Sequence, residues 1–224
     1  MQYNMSIVTR LVNRLRHNRG YGVQSPAAFH FVMHVLRECR HPYYLYPLVN
    51  KASRLSGDYT AKHCRRLFRI ANYLQPTDII MLSAGKGAAA CAIALARNNV
   101  PCLSIGDNAN EEIAKILYKR TLYKELQGDT KQLLHKELEG NKGFGLLYIG
   151  NTPQYESFIE VALPAANKKS VIIVEGIRRD KKMKKWWQDI IADKRIIVSF
   201  DLYNTGILTF DTEYKKQHYT FLFK

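Results

Sequence analysis

The chain has 224 residues, 46% of them hydrophobic and 24% charged, enough for one well-buried α/β domain with a short appendage and too few for two domains of usual size. Its 34 Lys plus Arg against 19 Asp plus Glu leave a net charge of +15, which favours acidic partners such as nucleic acid, anionic lipid or phosphorylated ligands without selecting among them. No apolar run reaches the length of a membrane span, and Cys39, Cys64, Cys91 and Cys102 stand at spacings that suit neither a zinc site nor a disulfide scaffold, so a reducing cytoplasm is the expected setting.

Residues 1–37 contain no acid, and Arg10, Arg14, Arg16 and Arg19 recur beside a stripe of Ile7, Val8, Leu11, Val12 and Leu15. This pattern predicts a short basic amphipathic helix. It reads as a docking face on the protein itself ahead of a membrane-surface helix or a transit peptide, and it lacks the apolar core of a secretory signal. Ser25 then caps and Pro26 opens a helix expected to bury Phe29, Val32, Met33 and Leu36. Residues 43–47 break the pattern. A further helix is predicted over 60–74, with Leu67, Ile70, Ala71 and Leu74 on one face and Arg65, Arg66 and Arg69 largely elsewhere. These elements form an N-terminal helical extension, 1–75, packed on a core domain, 76–224.

From Asp78 onward strands and helices alternate. Strands are predicted at 79–84, 101–105, 144–149 and 171–175, and helices near 88–98, 111–124, 154–166 and 181–192. Such alternation implies right-handed crossovers and a parallel sheet covered on both faces. The last strands, 196–203, 206–210 and 219–223, have no helix between them, so antiparallel pairs are expected at that edge. The fold class is therefore α/β, a Rossmann-like doubly wound, mostly parallel sheet with antiparallel C-terminal strands.

The run DIIMLSAGKGAAACAIALA is the most informative. Ile79 to Leu82 form the continuous apolar strand of a sheet buried on both faces, and Ala88 to Ala96 form a helix with almost no bulk. Gly85 and Gly87 suit the bend between them, where backbone N–H groups at a helix start would face a nucleotide-like ligand. A two-glycine turn is also a common tight connection.

Together these features resemble the class I methyltransferases that use S-adenosylmethionine, and in particular a bacterial O-methyltransferase-like family common in Bacteroidetes. Three passages carry the likeness: RGYGVQSPAAF, similar to R-G-H-G-V-H-S-P-F; the glycine turn; and the stretch from VIIVEGIRRDKKMKKWW to DLYNTGILTF, similar to I-F-D-D-I-H-W-S-x-E-M-x-x-A-W followed by D-L-F-x-x-G-I. Met183, Trp187, Asp201, Leu202, Gly206 and Ile207 fall in register, mostly as packing or turn positions.

The resemblance implies S-adenosylmethionine as cofactor, held by Ser83, Ala84, Gly85 and Gly87 at the turn, where Ser83 stands for the family's first glycine and donates near the ligand's carboxylate end. It also implies Asp107 near the ribose hydroxyls, one position after Gly106, which takes the usual acid's place; helix capping is the other reading of Asp107. Asp129, after Gly128, is implied near the adenine amine or as a surface turn. Gly150 replaces an acid after the fourth strand, and after the fifth the family's D-D-I-H is Glu175, Gly176, Ile177 and Arg178. With Glu175 alone left of the hard oxygen ligands, no metal is expected. Arg178, Arg179, Lys181, Lys182, Lys184 and Lys185 follow that strand, so Glu175, Arg178 and Arg179 are assigned to a small-molecule or anionic acceptor, with a solvated helix face as the alternative. His30, His135 and His218 are bases by type, with nothing placing them at the site. The sequence thus points to a metal-free methyltransferase. The rival reading is a degenerate relative holding nucleic acid or another anionic partner through its basic face. A membrane-surface role ranks last.

Overall fold

A computed structural model describes residues 25–37, 43–106, 108–140 and 143–221. The basic amphipathic helix expected around the apolar stripe of residues 7–15, with its arginines out to Arg19, lies outside them, as do Cys39 and Asp107. Eight helices and eight strands follow in chain order among the described residues: α1 Pro26–His30, continuing as a wider π-helical turn over Phe31–Leu36; α2 Tyr46–Ser56; α3 Ala61–Leu74; β1 Ile79–Leu82; α4 Ala88–Ala96; β2 Pro101–Ile105; α5 Glu111–Arg120; β3 Leu122–Leu126; α6 Thr130–Leu138; β4 Leu146–Ile149; α7 Tyr155–Ala165; β5 Val171–Glu175; α8 Lys181–Ala192; β6 Val198–Asp201; β7 Thr205–Thr209; and β8 Gln217–Thr220.

The strands form one sheet in the order β3-β2-β1-β4-β5-β7-β6-β8. β1 to β5 run parallel, β7 is antiparallel to both β5 and β6, and β8 lies parallel to β6. The expected mixed edge is present, with β7 alone reversed. Side chains of a strand alternate between the faces of its sheet. Ile79 and Met81 of β1 join the core under α1 to α5, whereas Ile80 and Leu82 join the core under α6 to α8. The same parity holds in β4, with Leu146 and Tyr148 against Leu147 and Ile149, and in β5, with Val171 and Ile173 against Ile172 and Val174. That parity decides which helices each strand-end residue meets.

Three elements depart from the expected pattern. Residues 46–56 form α2, because Pro47 stands in its first turn, where a missing N–H costs nothing. The helix predicted over 111–124 ends at Arg120, and residues 122–126 are the edge strand β3, which exposes Leu122 while burying Tyr123. α6 then begins behind the Asp129 cap. In α1 the wider turn, marked by Arg37 N–H donating to Val32 O, rotates the buried face to Phe31, Val32, Val35 and Leu36 and leaves Phe29 43% exposed. The arginines of α3 are not all on its outer side. Arg69 is buried and donates to Val35 O, Leu36 O and Tyr46 OH, satisfying carbonyls at the end of α1. Among the described residues no helix is long and apolar enough to cross a membrane.

Candidate functional site

β1 and β4 are the neighbours from which the chain winds in opposite directions, the position where open α/β sheets form a ligand crevice. Past β1 the backbone is left-handed at Ser83 (φ 50), Gly85 (φ 67) and Gly87 (φ 98). Ser83 is notable, since side chains disfavour that region. Its carbonyl lies so close to Gly150 that any Cβ there would overlap it, and Gly150 N–H donates to Leu82 O at 2.8 Å. Gly150 thus joins the ends of β1 and β4. On the other flank a Cβ on Gly87 would stand 2.7 Å from the Ala109 methyl, and Asn110 N–H donates to Lys86 O at 2.9 Å. Ala84 is buried within the turn.

The exposed face of the turn is met by the loop between α2 and α3. Asp58 Oδ2 accepts the Lys86 N–H at 2.6 Å and lies 2.7 Å from where a Gly85 Cβ would be. A carboxylate of the chain itself therefore sits on an amide of the glycine turn, two residues ahead of α4. Sequence reading passed over Asp58.

At the ends of β2 and β3, Gly106 is left-handed and a Cβ there would come 2.5 Å from Thr130 Oγ1. Asp129 is exposed and caps α6, accepting the Gln132 N–H at 2.8 Å. Glu125, also not foreseen, accepts the Ala109 N–H at 3.1 Å and the hydroxyls of Tyr123 and Tyr118 at 2.9 and 3.2 Å.

Glu175 shares its parity with Val171 and Ile173, so it ends β5 on the face that carries α3. It is 3% exposed there, and Oε1 lies 3.0 Å from His63 Nε2, in the first turn of α3. Thr205, its cross-strand partner in β7, donates from Oγ1 to Glu175 Oε2 at 2.9 Å. The Tyr59 ring stacks on His63, with centroids 4.8 Å apart, and Tyr148 of β4 donates to Tyr59 OH at 3.2 Å. Burial, and secondarily the Glu175 charge, push the Tyr59 and Tyr148 hydroxyls up, and burial pushes the Cys64 thiol up to about 12, so all three keep their protons near neutral pH. One short segment thus spans the carboxyl ends of three strands: Asp58 at β1, Tyr59 at β4 and His63 at β5.

No motif announces His63. The signal available was physical: an acid ending a buried strand on the face of the N-terminal helices requires a partner from them. The histidines considered by type lie elsewhere. His218 approaches Ser199 from β8, His135 pairs with Glu139 on the surface of α6, and His30 packs on Tyr73.

The basic cluster after β5 is largely paired. Arg178 binds Asp201 through two hydrogen bonds of 2.5 and 2.7 Å and also donates to Tyr203 O. Arg179 donates to Asp180 and to Asn151, and Lys182 pairs with Glu156. Met183 and Trp187 are the buried side of α8, and Gly206 has no room for a Cβ because the Trp187 ring covers it. A separate cavity of about 630 Å³ opens at the opposite end of the sheet, between Phe31, Tyr73, Val171, Phe200, Ile207 and Tyr219. It is remote from the glycine turn.

No family model matches the chain, and no curated protein matches it. Solved structures do. A methyltransferase from Podospora anserina bound to S-adenosylhomocysteine aligns over 94% of this chain and 99% of its own, with 11% identity and a TM-score of 0.58. The O-methyltransferase TomG from Streptomyces achromogenes, involved in tomaymycin synthesis and crystallised with S-adenosylmethionine, aligns over 81% and 94%, with 15% identity and a TM-score of 0.54. An O-methyltransferase from Bacillus cereus in complex with S-adenosylhomocysteine covers the same shares at 15% identity and a TM-score of 0.52. At such identities the likeness is one of fold: the chain has the Rossmann-like fold found in these methyltransferases.

Proposed function

We propose that this protein is an S-adenosylmethionine-dependent methyltransferase that needs no divalent cation. The observation that carries the reading is the left-handed glycine turn at the β1/β4 reversal of a sheet shared with methyltransferases bound to that cofactor or its product. The residues present suit such a ligand. Backbone at Ser83, Ala84, Gly85 and Gly87, beside Gly150, would hold its amino-acid end, and the segments that follow β2 and β3 in the sequence, which carry Asp107 and Asp129, would meet its ribose and adenine. When bound, the cofactor supplies an activated methyl group on a sulfonium.

The strand ends suit a metal poorly. Gly150 and Gly176 carry no side-chain ligand atoms, both Glu175 oxygens are engaged, and no group of three His, Cys, Asp or Glu gathers among the described residues. Hard divalent cations take about six or more oxygens, and even where waters fill most positions one or two carboxylates free to ligate anchor the ion. The work left to the chain is to orient the acceptor in line with the methyl carbon and to exclude water. Arg178 and Arg179 flank that side, and to hold a small or anionic acceptor they would exchange their present partners Asp201 and Asp180 for it.

Calorimetric titration of the purified, ligand-stripped protein with S-adenosylmethionine and S-adenosylhomocysteine tests the proposal. Saturable one-site binding is expected, unchanged by a chelator and lost in Gly85→Val, whose side chain would meet Asp58. Absence of binding at millimolar ligand refutes it and leaves the anionic-partner reading.

A further inference from the structure

The cavity at the amino end of the sheet belongs to neither the glycine turn nor the acceptor side. Val171, Val198, Phe200 and Ile207, from β5, β6 and β7, form its floor on the face that carries α1 to α5. A sheet face left to water carries polar residues, so four apolar ones across three strands call for a cover. α1 supplies part of it, through Phe31 on Phe200 with ring centroids 4.9 Å apart. A space of about 630 Å³ remains beside that contact. Protein interiors close-pack, so a space of this size between apolar walls points to an occupant.

A candidate lies on the same chain. Ser25 and Ala28 line the cavity, so the 24 residues before Ser25 join the described structure at its wall. They hold a motif that the glycine-turn site does not use. Ile7, Val8, Leu11, Val12 and Leu15 share one helical face, with Arg10 and Arg14 along one border and Arg16 along the other. We propose that this apolar stripe seats in the cavity as a helix about 13 Å long and completes the cover over β6 and β7. The connecting residues 16–24 span at most about 30 Å. Such a tether keeps the stripe near Ser25 at an effective concentration on the order of millimolar, ahead of partners met by diffusion.

Charge does not select this seat. The rim is mixed in sign: Lys169 and Lys215 stand there with Asp211, and Lys168 pairs with Glu213 at 3.4 Å. Apolar burial is the driving force, and the flanking arginines lay their stems along the rim while their charged ends keep to water. The inference is independent of the methyltransferase reading. It makes the basic segment a member of the fold in place of a membrane-surface helix.

Photo-cross-linking of the full chain tests the proposal, with p-benzoylphenylalanine in place of Tyr73, which lines the cavity and is 41% exposed. Irradiation should join this position to a peptide of residues 7–15 within one chain. Leu11→Asp should cut the yield about tenfold or more, whereas Asn13→Asp, on the polar side of the same helix, should leave it unchanged. Sodium chloride at about 1 M, which screens charges beyond about 3 Å, should also leave it unchanged. The apolar dye Nile red should stay dark with the native chain and brighten with Leu11→Asp. Absence of a cross-link to residues 7–15, or a yield that Leu11→Asp does not alter, overturns the assignment. Cross-links formed only between two chains would give the cavity to a second copy instead. A yield that falls on adding vesicles of phosphatidylcholine and phosphatidylserine would give the stripe to a membrane, and a bright dye with the native chain would leave the cavity to a small apolar ligand. Each of these three results also overturns the proposal. The cross-link in the otherwise native chain decides the matter even where Leu11→Asp fails to fold.

Discussion

A side chain at position 150 would have to displace the Ser83 carbonyl, which is backbone and belongs to a turn braced on both flanks. Glycine at this place therefore has a packing reason. Gly150→Ala should cost about 3 kcal/mol of stability, because the strain falls on main chain that cannot swing aside. Gly57→Ala, which meets nothing within 4 Å but has φ +69, should cost about 1 kcal/mol, and urea unfolding of the two variants separates the effects. The arginines offer a second contrast. Arg178 and Asp201 form a two-pronged, largely buried pair, whereas Lys182 and Glu156 meet at an exposed surface. A double-mutant cycle should give a coupling of about 2 kcal/mol for the first pair and near zero for the second. The expectation that both arginines hold an acceptor came from their position after β5, from which their hydrogen bonds to Asp201 and Asn151 could not be read.

At the scale of elements, amphipathic pattern located most helices, and local hydrogen bonding decided where they stopped. α5 ends when Thr121 Oγ1 donates back to Leu117 O, freeing residues 122–126 to pair with β2. Nothing in LYKEL distinguishes an edge strand from a further helical turn, because its apolar residues fit either period. The end of α8 is held by charge. Asp193 accepts hydrogen bonds from the Arg195 guanidinium, and Lys216 donates to the Ala192 and Asp193 carbonyls. The Arg195 hydrogen bonds pull the Asp193 carboxyl down from 3.8 to about 2. A carboxyl depressed in the folded state stabilises above its unfolded value and loses that contribution as pH falls from about 4 to about 2. Asp193→Asn should accordingly lower stability by about 1 kcal/mol at pH 7, a figure reduced for partial exposure, and by nothing near pH 2. Denaturant titration of both proteins at the two pH values measures it.

Over the whole molecule, the helices before β1 are structural members of the domain. Val49, Leu67, Phe68 and Ile70 belong to the same core as Ile79, Met81 and Ile173, and Arg69 and His63 tie α3 to α1 and β5. Deleting residues 1–75 would remove three of the five helices on one face of the sheet and leave Glu175 without its histidine. The truncated chain is expected to lose cooperative unfolding, as read by circular dichroism against denaturant. A cleanly folding 76–224 fragment would show that the extension is a dispensable layer.

Continuous apolar runs separated by amphipathic helices determined the sheet and its two covered faces, because a strand buried on both sides tolerates little else. The glycine turn was legible for a similar reason, since few residue types suit a left-handed bend of that kind. Tertiary structure alone decided the partners. Glu175 and His63 are 112 positions apart, and Arg178 and Asp201 are 23 apart. Which charged group meets which depends on strand parity, on register across β5 and β7, and on where α3 crosses the sheet. Sequence spacing encodes none of these, because they arise when separate segments settle their buried polar groups against one another.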